Sequence, residues 1–330
     1  MSTLILTQDD VEKALSIENC IPAVEAAMIA SAEGKSLHPP RQAFPLMSGG
    51  MLGVMPGETS SPALYGTKVV GVKEHGAQSK YQSHQGVVAT FDVETGLLNG
   101  LVEAGSITAI RTAAASAAAT KVLAREDASV LAIVGAGVQA VMHLEAMRLV
   151  RPIKVVRLWA RDLEQSEALA ARFNADNLKV EAIPRLRDAT KEADIICTVT
   201  AATEAFLFNQ VVSKGVHINA VGASTAAMCE IGANLIAMSR LFADVKENVA
   251  VASGEFVRAK EAGVVTDNHI LGDIGSVIKD PSIGRLSDED ITLYKSLGVI
   301  DQDLAAAHVV LEYAREHGLG TEIDLTAVKR

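Results

Sequence analysis

Gly135-Ala136-Gly137-Val138-Gln139-Ala140 follows directly on the apolar run at 129–134 and precedes a helical pattern through 150. Strand, glycine turn and helix in that order make a dinucleotide-binding fingerprint. Gly135 permits the tight turn, Gly137 lets the backbone approach a pyrophosphate, and Ala140 lets the helix pack closely on the strand. The helix N-terminus, at Val138 and Gln139, offers unpaired N–H groups to phosphates. The alternative is a glycine turn in an α/β protein without nucleotide; the context on both sides favours the cofactor. An NAD enzyme usually carries Asp or Glu at the end of the next strand, to accept bonds from the ribose 2′-hydroxyl. Here that strand ends Trp159-Ala160-Arg161-Asp162. Ala160 stands in the acidic position, and Arg161 can stack on adenine and pair with a 2′-phosphate. NADPH is therefore the expected cofactor, with NADH also accepted; on the opposing reading Arg161 is a solvated surface residue and Asp162 merely caps a helix. Thr200 and Val221, at the ends of two later strand-like runs, are counted among the cofactor-binding residues.

Three cations sit where structure alone accounts for them poorly. Lys68 lies inside ALYGTKVVGV, where a two-residue period puts it on the face of Leu64, Gly66, Val70 and Val72. A lysine there needs an anion or water, unless it is an edge-strand lysine placed against aggregation. Arg111 is expected in about the first turn of an alanine-rich helix, where the helix dipole disfavours a cation by roughly 0.3–1 kcal/mol. Either Glu103 compensates structurally, or a substrate carboxylate does so through the two parallel bonds a guanidinium offers. Arg41 follows Pro39 and Pro40 in a stiff segment that can hold it towards a cleft; on its own it reads as a surface arginine. His84, ahead of GVVATFDV, is a candidate proton donor, with a loop-bonding histidine as the alternative. The other histidines show no metal-ligand spacing, and no metal is expected. Cys20, Cys197 and Cys229 are too scattered for a zinc site or a disulfide framework, and Cys197 reads as a buried apolar side chain.

The elements that must position these residues fall into two kinds. Residues 9–33 predict a helix capped by Thr7 or Asp9 and divided at Pro22. From 41 to 101 short β-like runs between Gly, Pro and Ser predict an antiparallel sheet, with a hairpin turn at 92–96. The alanine-rich stretch 106–124 predicts a helix that bridges two domains. Then come apolar runs at 129–134, 154–160, 179–183, 194–200 and 216–221 with helical patterns between them, which predict βαβ units and a parallel sheet covered on both faces. The segment after Arg285 reads as helical again, ending in a helix near 301–317. The expected fold class is α/β.

At 330 residues the chain suits two domains. Apolar residues make up 49% and charged residues 21%, enough for sizeable cores and against disorder. A net charge of −10 without a basic run argues against nucleic acid as a partner. Uncharged stretches fall short of a membrane span, and MSTLILTQDD lacks a basic n-region, so neither membrane nor secretion is expected. Three scattered cysteines suit a reducing, cytoplasmic setting.

The motifs together resemble the ornithine cyclodeaminase and mu-crystallin superfamily: LGVMP at 52–56, SHQ at 83–85, RTAA at 111–114, GAGVQA at 135–140, HINAVGAS at 217–224 and KSLG at 295–298. The resemblance runs over nearly the whole chain. It implies a Rossmann domain over 126–300, inserted between a smaller α+β substrate and dimerisation domain at 1–125 and a returning segment at 301–330. It also implies a homodimer built through the N-terminal sheets. Position by position, Arg41, Lys68 and Arg111 match the family's substrate-carboxylate and active-site cations. Thr112 matches a threonine close to the cofactor phosphates, Gly137, Val138 and Gln139 match the phosphate loop, and Arg161 matches an arginine near the adenosine phosphate. The matched SHQ brings His84 towards the nicotinamide.

One departure bears on the chemistry. Cyclodeaminases and the related alanine dehydrogenase carry an aspartate in the segment corresponding to 222–230, whereas this sequence has Gly222-Ala223-Ser224. An aspartate takes protons from an amino group or an attacking water; a serine with no base beside it in sequence is a poor substitute. Mu-crystallin-like ketimine reductases resemble this sequence in NAVGAS. A protonated cyclic imine is already electrophilic, so its reduction needs orientation more than acid–base machinery. The expected function is NAD(P)H-dependent reduction of cyclic ketimine carboxylates such as Δ1-pyrroline-2-carboxylate or Δ1-piperideine-2-carboxylate, with Lys68, Arg111, Ser224 and His84 as catalytic candidates. Two alternatives stay open: an ornithine cyclodeaminase or amino-acid dehydrogenase, and a non-catalytic protein that binds NADPH and a small ligand.

Overall fold

The computed structural model describes residues 2–73, 80–173 and 178–327. The chain forms two compact units, Met1–Thr112 with Val299–Arg330, and Ala113–Gly298. In the first unit β1 (Thr3–Leu6) leads into α1 (Gln8–Ala14), where Thr7 and Asp10 close a reciprocal capping box. The break expected at Pro22 falls earlier. Ser16 starts α2 (Ile17–Ala32) with a second capping box on Asn19, and Pro22 lies inside that helix. A proline so near the N-terminus removes only one intrahelical bond, so the caps decide where the helices part.

Strands β2 (Ser36–Leu37), β3 (Gln42–Pro45), β4 (Met51–Ser60), β5 (Ala63–Val72), β6 (His84–Phe91) and β7 (Leu98–Glu103) form the expected antiparallel sheet, with β2 and β3 both pairing β4. Asp92 closes the turn at 92–96 by accepting bonds from Glu94 N, Thr95 N and Thr95 Oγ1. The sheet is mixed, because β1 adds parallel to β7. β5 lies between β4 and β6, which rules out an edge-strand lysine at Lys68. Next, α3 (Ala104–Leu123) begins earlier than expected, with Glu103 accepting from Gly105 N and Ser106 N as its cap. Arg111 therefore sits about two turns inside the helix. At that depth the positive end of the helix dipole does not bear on it, and Glu103 serves the helix end.

The second unit contains β8 (Val130–Val134), α4 (Val138–Val150), β9 (Val155–Trp159), α5 (Leu163–Phe173), β10 (Lys179–Ala182), α6 (Leu186–Thr190), β11 (Ile195–Thr198) and β12 (His217–Ala220). These carry the five expected strands. It continues with α7 (Ala233–Met238), β13 (Arg240–Ala243), α8 (Lys246–Ala252), α9 (Gly254–Glu261), β14 (Ile270–Asp273), α10 (Ile274–Lys279) and β15 (Thr292–Lys295). All neighbours in the order β10-β9-β8-β11-β12-β15-β13-β14 are parallel. The helical reading after Arg285 is thus corrected: β15 lies there, and all four of its residues are buried. Four residues without alternation carry no period to read. Strand order reverses between β8 and β11, the switch point outside which α/β sheets bind ligands.

The chain then returns to the first unit with α11 (Ile300–His317) and β16 (Thr321–Ile323), which pairs β1. α11 packs on α2 and on the face of β4 and β5. Gly66 lets it approach, since a Cβ there would stand 2.8 Å from Leu304 Cδ2 and 2.2 Å from Ala89 O. Leu64, Gly66, Lys68 and Val70 line that buried face, as the two-residue period predicts.

Candidate functional site

In the second unit the loop between β8 and α4 has the form that a dinucleotide requires. Gly135 adopts φ 130°, and a Cβ there would come within 2.8 Å of Val199 O, so both conformation and space demand glycine. Its N–H donates to Trp159 O, tying the loop to the end of β9. Gly137 is the N-cap of α4, no side chain caps the helix, and nothing stands within 4 Å of where its Cβ would be. Val138 is exposed and Ala140 fully buried against the sheet. Open amides and a backbone without a side chain in the way fit a pyrophosphate. Beyond β9, Arg161 is exposed, while Asp162 accepts from Glu164 N and Gln165 Nε2 and so caps α5. That leaves Arg161 as the charge at the strand end that is unpaired among the described residues.

In the first unit Lys68 and Arg111 are both buried, at 3% and 5% exposure, and both bond to one atom. Asp303 Oδ1 lies 3.0 Å from Lys68 Nζ and 2.9 Å from Arg111 Nε. Gln302 Oε1 accepts from the Arg111 Nη1 at 2.8 Å, and Thr108 Oγ1 bonds Lys68 Nζ. Burial pulls the Lys68 ammonium down to about 8; Asp303 opposes that shift, while the charges of Arg111 and Arg41 add to it. Burial pushes Asp303 up, but the two cations outweigh it and hold the carboxyl below its ordinary range. The cluster is rich in positive charge and in donors. Thr112, one residue on, donates to Thr108 O within α3. His84 bonds Ser83 Oγ at 2.9 Å. The residue is exposed, yet desolvation of its ring and the Lys68 charge hold it below its ordinary value.

A second buried cluster lies at the carboxyl ends of β11 and β12. Glu230 Oε1 accepts from Thr200 N and Thr200 Oγ1, and its Oε2 accepts from Thr198 Oγ1 and Ala223 N. Burial and the neighbouring Glu255 push Glu230 above the usual carboxylate range, against the pull of Lys295. Lys295 lies 2.7 Å from Glu255 Oε2 and donates to Ala223 O at 2.7 Å. The loop bearing Gly222, Ala223 and Ser224 is thus held at both backbone groups of Ala223, its N–H and its C=O. Ser224 is half-buried and bonded to no base among the described residues. Val221 is buried at the end of β12, its N–H donating to Thr198 O. Cys197 is fully buried, its thiol pushed up to about 12 by desolvation, as expected of an apolar side chain.

The structure brings Lys68 and Arg111 together, with Arg41 near enough for its charge to act on Lys68. It also gathers residues that the sequence reading did not single out: Gln302 and Asp303, and Glu230, Glu255 and Lys295. Lys295 was visible only as the first letter of KSLG. Acidic residues in the first turn of α11 read as ordinary helix-dipole partners, so nothing marked Asp303 as the anion that Lys68 needs.

The ornithine cyclodeaminase/mu-crystallin family model matches residues 1–318. The ketimine reductase mu-crystallin of Mus musculus is 36% identical over 296 residues, 88% of this chain and 91% of that protein. The Δ1-pyrroline-2-carboxylate reductase of Thermococcus litoralis, solved with NADH and L-proline, superposes with a TM-score of 0.92 at 30% identity over 97% of this chain and 100% of that one. An archaeal alanine dehydrogenase dimer with bound NAD gives a TM-score of 0.92 at 29% identity over 99% and 100%. With the glycine loop, the switch-point sheet and these matches over nearly its full length, the chain belongs to the ornithine cyclodeaminase/mu-crystallin family.

Proposed function

We propose that this chain is a nicotinamide-dependent reductase of cyclic ketimine carboxylates, converting Δ1-pyrroline-2-carboxylate or Δ1-piperideine-2-carboxylate to proline or pipecolate. The observation that carries this reading is the buried pair Lys68 and Arg111 around a single carboxylate oxygen, an arrangement with cationic capacity left for a substrate carboxylate. Relatives named ketimine reductase and Δ1-pyrroline-2-carboxylate reductase support it. Lys68 and Arg111 hold the substrate carboxylate, and Arg41 adds to the local positive field. A bound nicotinamide would supply hydride for the imine carbon, and the protonated imine nitrogen would keep its proton and become an amine. The chain's part is then orientation and charge. Ser224 and His84 are assigned to orienting the ring or relaying a proton, Ser224 being bonded to no base among the described residues.

Arg161 and the absent strand-end carboxylate support NADPH over NADH, and the family likeness supports a homodimer. Among the described residues no helix is long and apolar enough to cross a membrane.

The test is a panel of cyclic and linear 2-imino acids assayed by nicotinamide absorbance with each cofactor. Cyclic ketimine carboxylates should be reduced, NADPH should give the higher kcat/KM, and Arg161→Ala should weaken NADPH about tenfold more than NADH. Equal losses would remove Arg161 from 2′-phosphate recognition. Cofactor binding without turnover of any imine would leave a binding protein.

A further inference from the structure

The first turn of α11 is Asp301-Gln302-Asp303, three polar residues that are each no more than 1% exposed. Charged residues are almost never so buried unless they are held by partners. Their partners come from three separate elements. Asp303 takes Lys68 of β5 and Arg111 of α3, Gln302 takes Arg111 a second time, and Asp301 Oδ2 lies 3.3 Å from His38 Nδ1 in the segment that leads to Arg41. We propose that this turn is the anionic hub of the substrate cations, and that Asp303 is the positioning residue that fixes Lys68 and Arg111 as one charged pair.

The inference rests on the reading of Lys68 and Arg111 as substrate cations, and it adds what holds them. Two cations buried side by side repel one another and lose their hydration; one carboxylate oxygen shared between them offsets both costs. Bonding through Nε and Nη1 also fixes the guanidinium plane. Asp303 Oδ2, Gln302 Nε2 and both carboxylate oxygens of Asp301 are buried and make no hydrogen bond among the described residues, so the hub keeps acceptors and one amide donor beyond those that hold the cations. The titratable groups that face Lys68 are Asp303 on α11, Arg111 on α3, Arg41 ahead of β3 and His84 on β6. Cys20 on α2 lies within the field of Arg111 and Asp303, its thiol pushed up to about 12 mainly by burial, so it stays neutral. Of these groups only Asp303 favours the ammonium form of Lys68.

The test is the pH profile of Asp303→Asn, which keeps the shape and removes the charge. Lys68 should then lose its proton at lower pH. The alkaline limb of kcat/KM for Δ1-pyrroline-2-carboxylate should move at least about one unit towards acid, so that a loss of about tenfold at pH 6.5 grows to at least about a hundredfold at pH 8.5. Lys68→Arg, whose charge persists, should lose that limb. A uniform loss at every pH would overturn the proposal.

A second measurement does not depend on activity. The folded pKa of Lys68 lies below its unfolded value, so the unfolded chain binds the extra proton. Its contribution to stability therefore rises between about pH 8 and 10.5. In Asp303→Asn that rise should begin at lower pH, and melting curves from pH 6 to 10 should close on those of the parent as pH rises. Adding Lys68→Met should remove the difference, and should rescue folding if the single variant does not fold. Parallel melting curves, or no rescue, would assign Asp303 to packing alone. If the parent chain reduces no imine, the proposed activity fails while the melting curves still decide the hub.

Discussion

In the first unit two cations, Lys68 and Arg111, share one oxygen of one carboxylate; in the second, two carboxylates, Glu230 and Glu255, face one ammonium, Lys295. Both clusters are buried, and they differ in the sign of their excess charge and in what their carboxylates hold. Glu230 accepts four hydrogen bonds on two oxygens, two of them from backbone amides, and its partners are the ends of two strands and the loop that follows one of them. Glu255 Oε2, 2.7 Å from Lys295 Nζ, is paired by charge and makes no hydrogen bond among the described residues. Around Asp303, by contrast, the carboxylate holds side chains and no backbone amide, two cations sharing its Oδ1 while Asp303 Oδ2 and Gln302 Nε2 make no hydrogen bond among the described residues. A carboxylate bonded to backbone amides holds loops in place, whereas a buried cluster with an excess of positive charge favours a counter-ion.

The largest expected effect comes from breaking the cationic cluster. Lys68→Met should lower kcat/KM for the cyclic imine at least about a hundredfold while the melting temperature stays within a few degrees. The small stability change follows because the substitution removes a desolvated ammonium along with its bond, and Asp303 keeps Arg111. Thermal denaturation and steady-state kinetics on the same preparation decide the matter. Collapse of the fold would put this cluster in the same class as the other.

Glu230→Ala should show the reverse pattern. Four donors lose a buried acceptor, and a loss of about 3 kcal/mol is expected for hydrogen bonds to a buried charged group. For a unit of this size that corresponds to a drop of roughly 5–10 °C in melting temperature. Activity per folded molecule should fall no more than about tenfold, chiefly as a raised KM for the nicotinamide, because Thr200 and the 222–224 loop stand at the carboxyl ends of β11 and β12. A loss matching that of Lys68→Met with no change in melting would show that Glu230 takes part in the chemistry.

The parts of the molecule that were legible in the sequence share a local cause. GAGVQA could be read because turn, helix start and glycine conformation are all fixed within six residues, and Lys68 because a two-residue period exposes a charge on an apolar face. The five strands β8 to β12 announced themselves as apolar runs with helices between. β13, β14 and β15, no shorter than β10 to β12, were not singled out as strands. Arg111 was recognised for a reason that proved wrong, since the helix starts at Ala104 and the anion that Arg111 meets is 192 residues further along the chain. Asp303 could not be found at all by local reasoning: its partners on β5 and α3 are brought to it only when α11 packs on the sheet. Glu230 is the same case in the second unit, where a lone carboxylate after Ala227-Met228-Cys229 carries no sign that it will bind backbone 30 residues earlier.

The smallest expected effect, and the one that separates reduction from deamination, is at Ser224. Ser224→Ala should cost no more than about tenfold in imine reduction, since a hydroxyl with no base beside it can only orient the ring or relay a proton. Deamination asks for more: an ammonium group must lose protons before hydride can leave, and a carboxylate has to receive them. The buried carboxylate that comes nearest this loop is Glu230, 3.2 Å from Ala223 N, and both its oxygens are already engaged. Ornithine supplied with NAD should therefore release no ammonia, while Δ1-pyrroline-2-carboxylate is reduced with NADPH by the same preparation. Ammonia release at a rate comparable with imine reduction would show that a proton acceptor is available after all. In that event Glu230→Ala should abolish ammonia release and spare reduction, which would make the second cluster chemical and not merely structural.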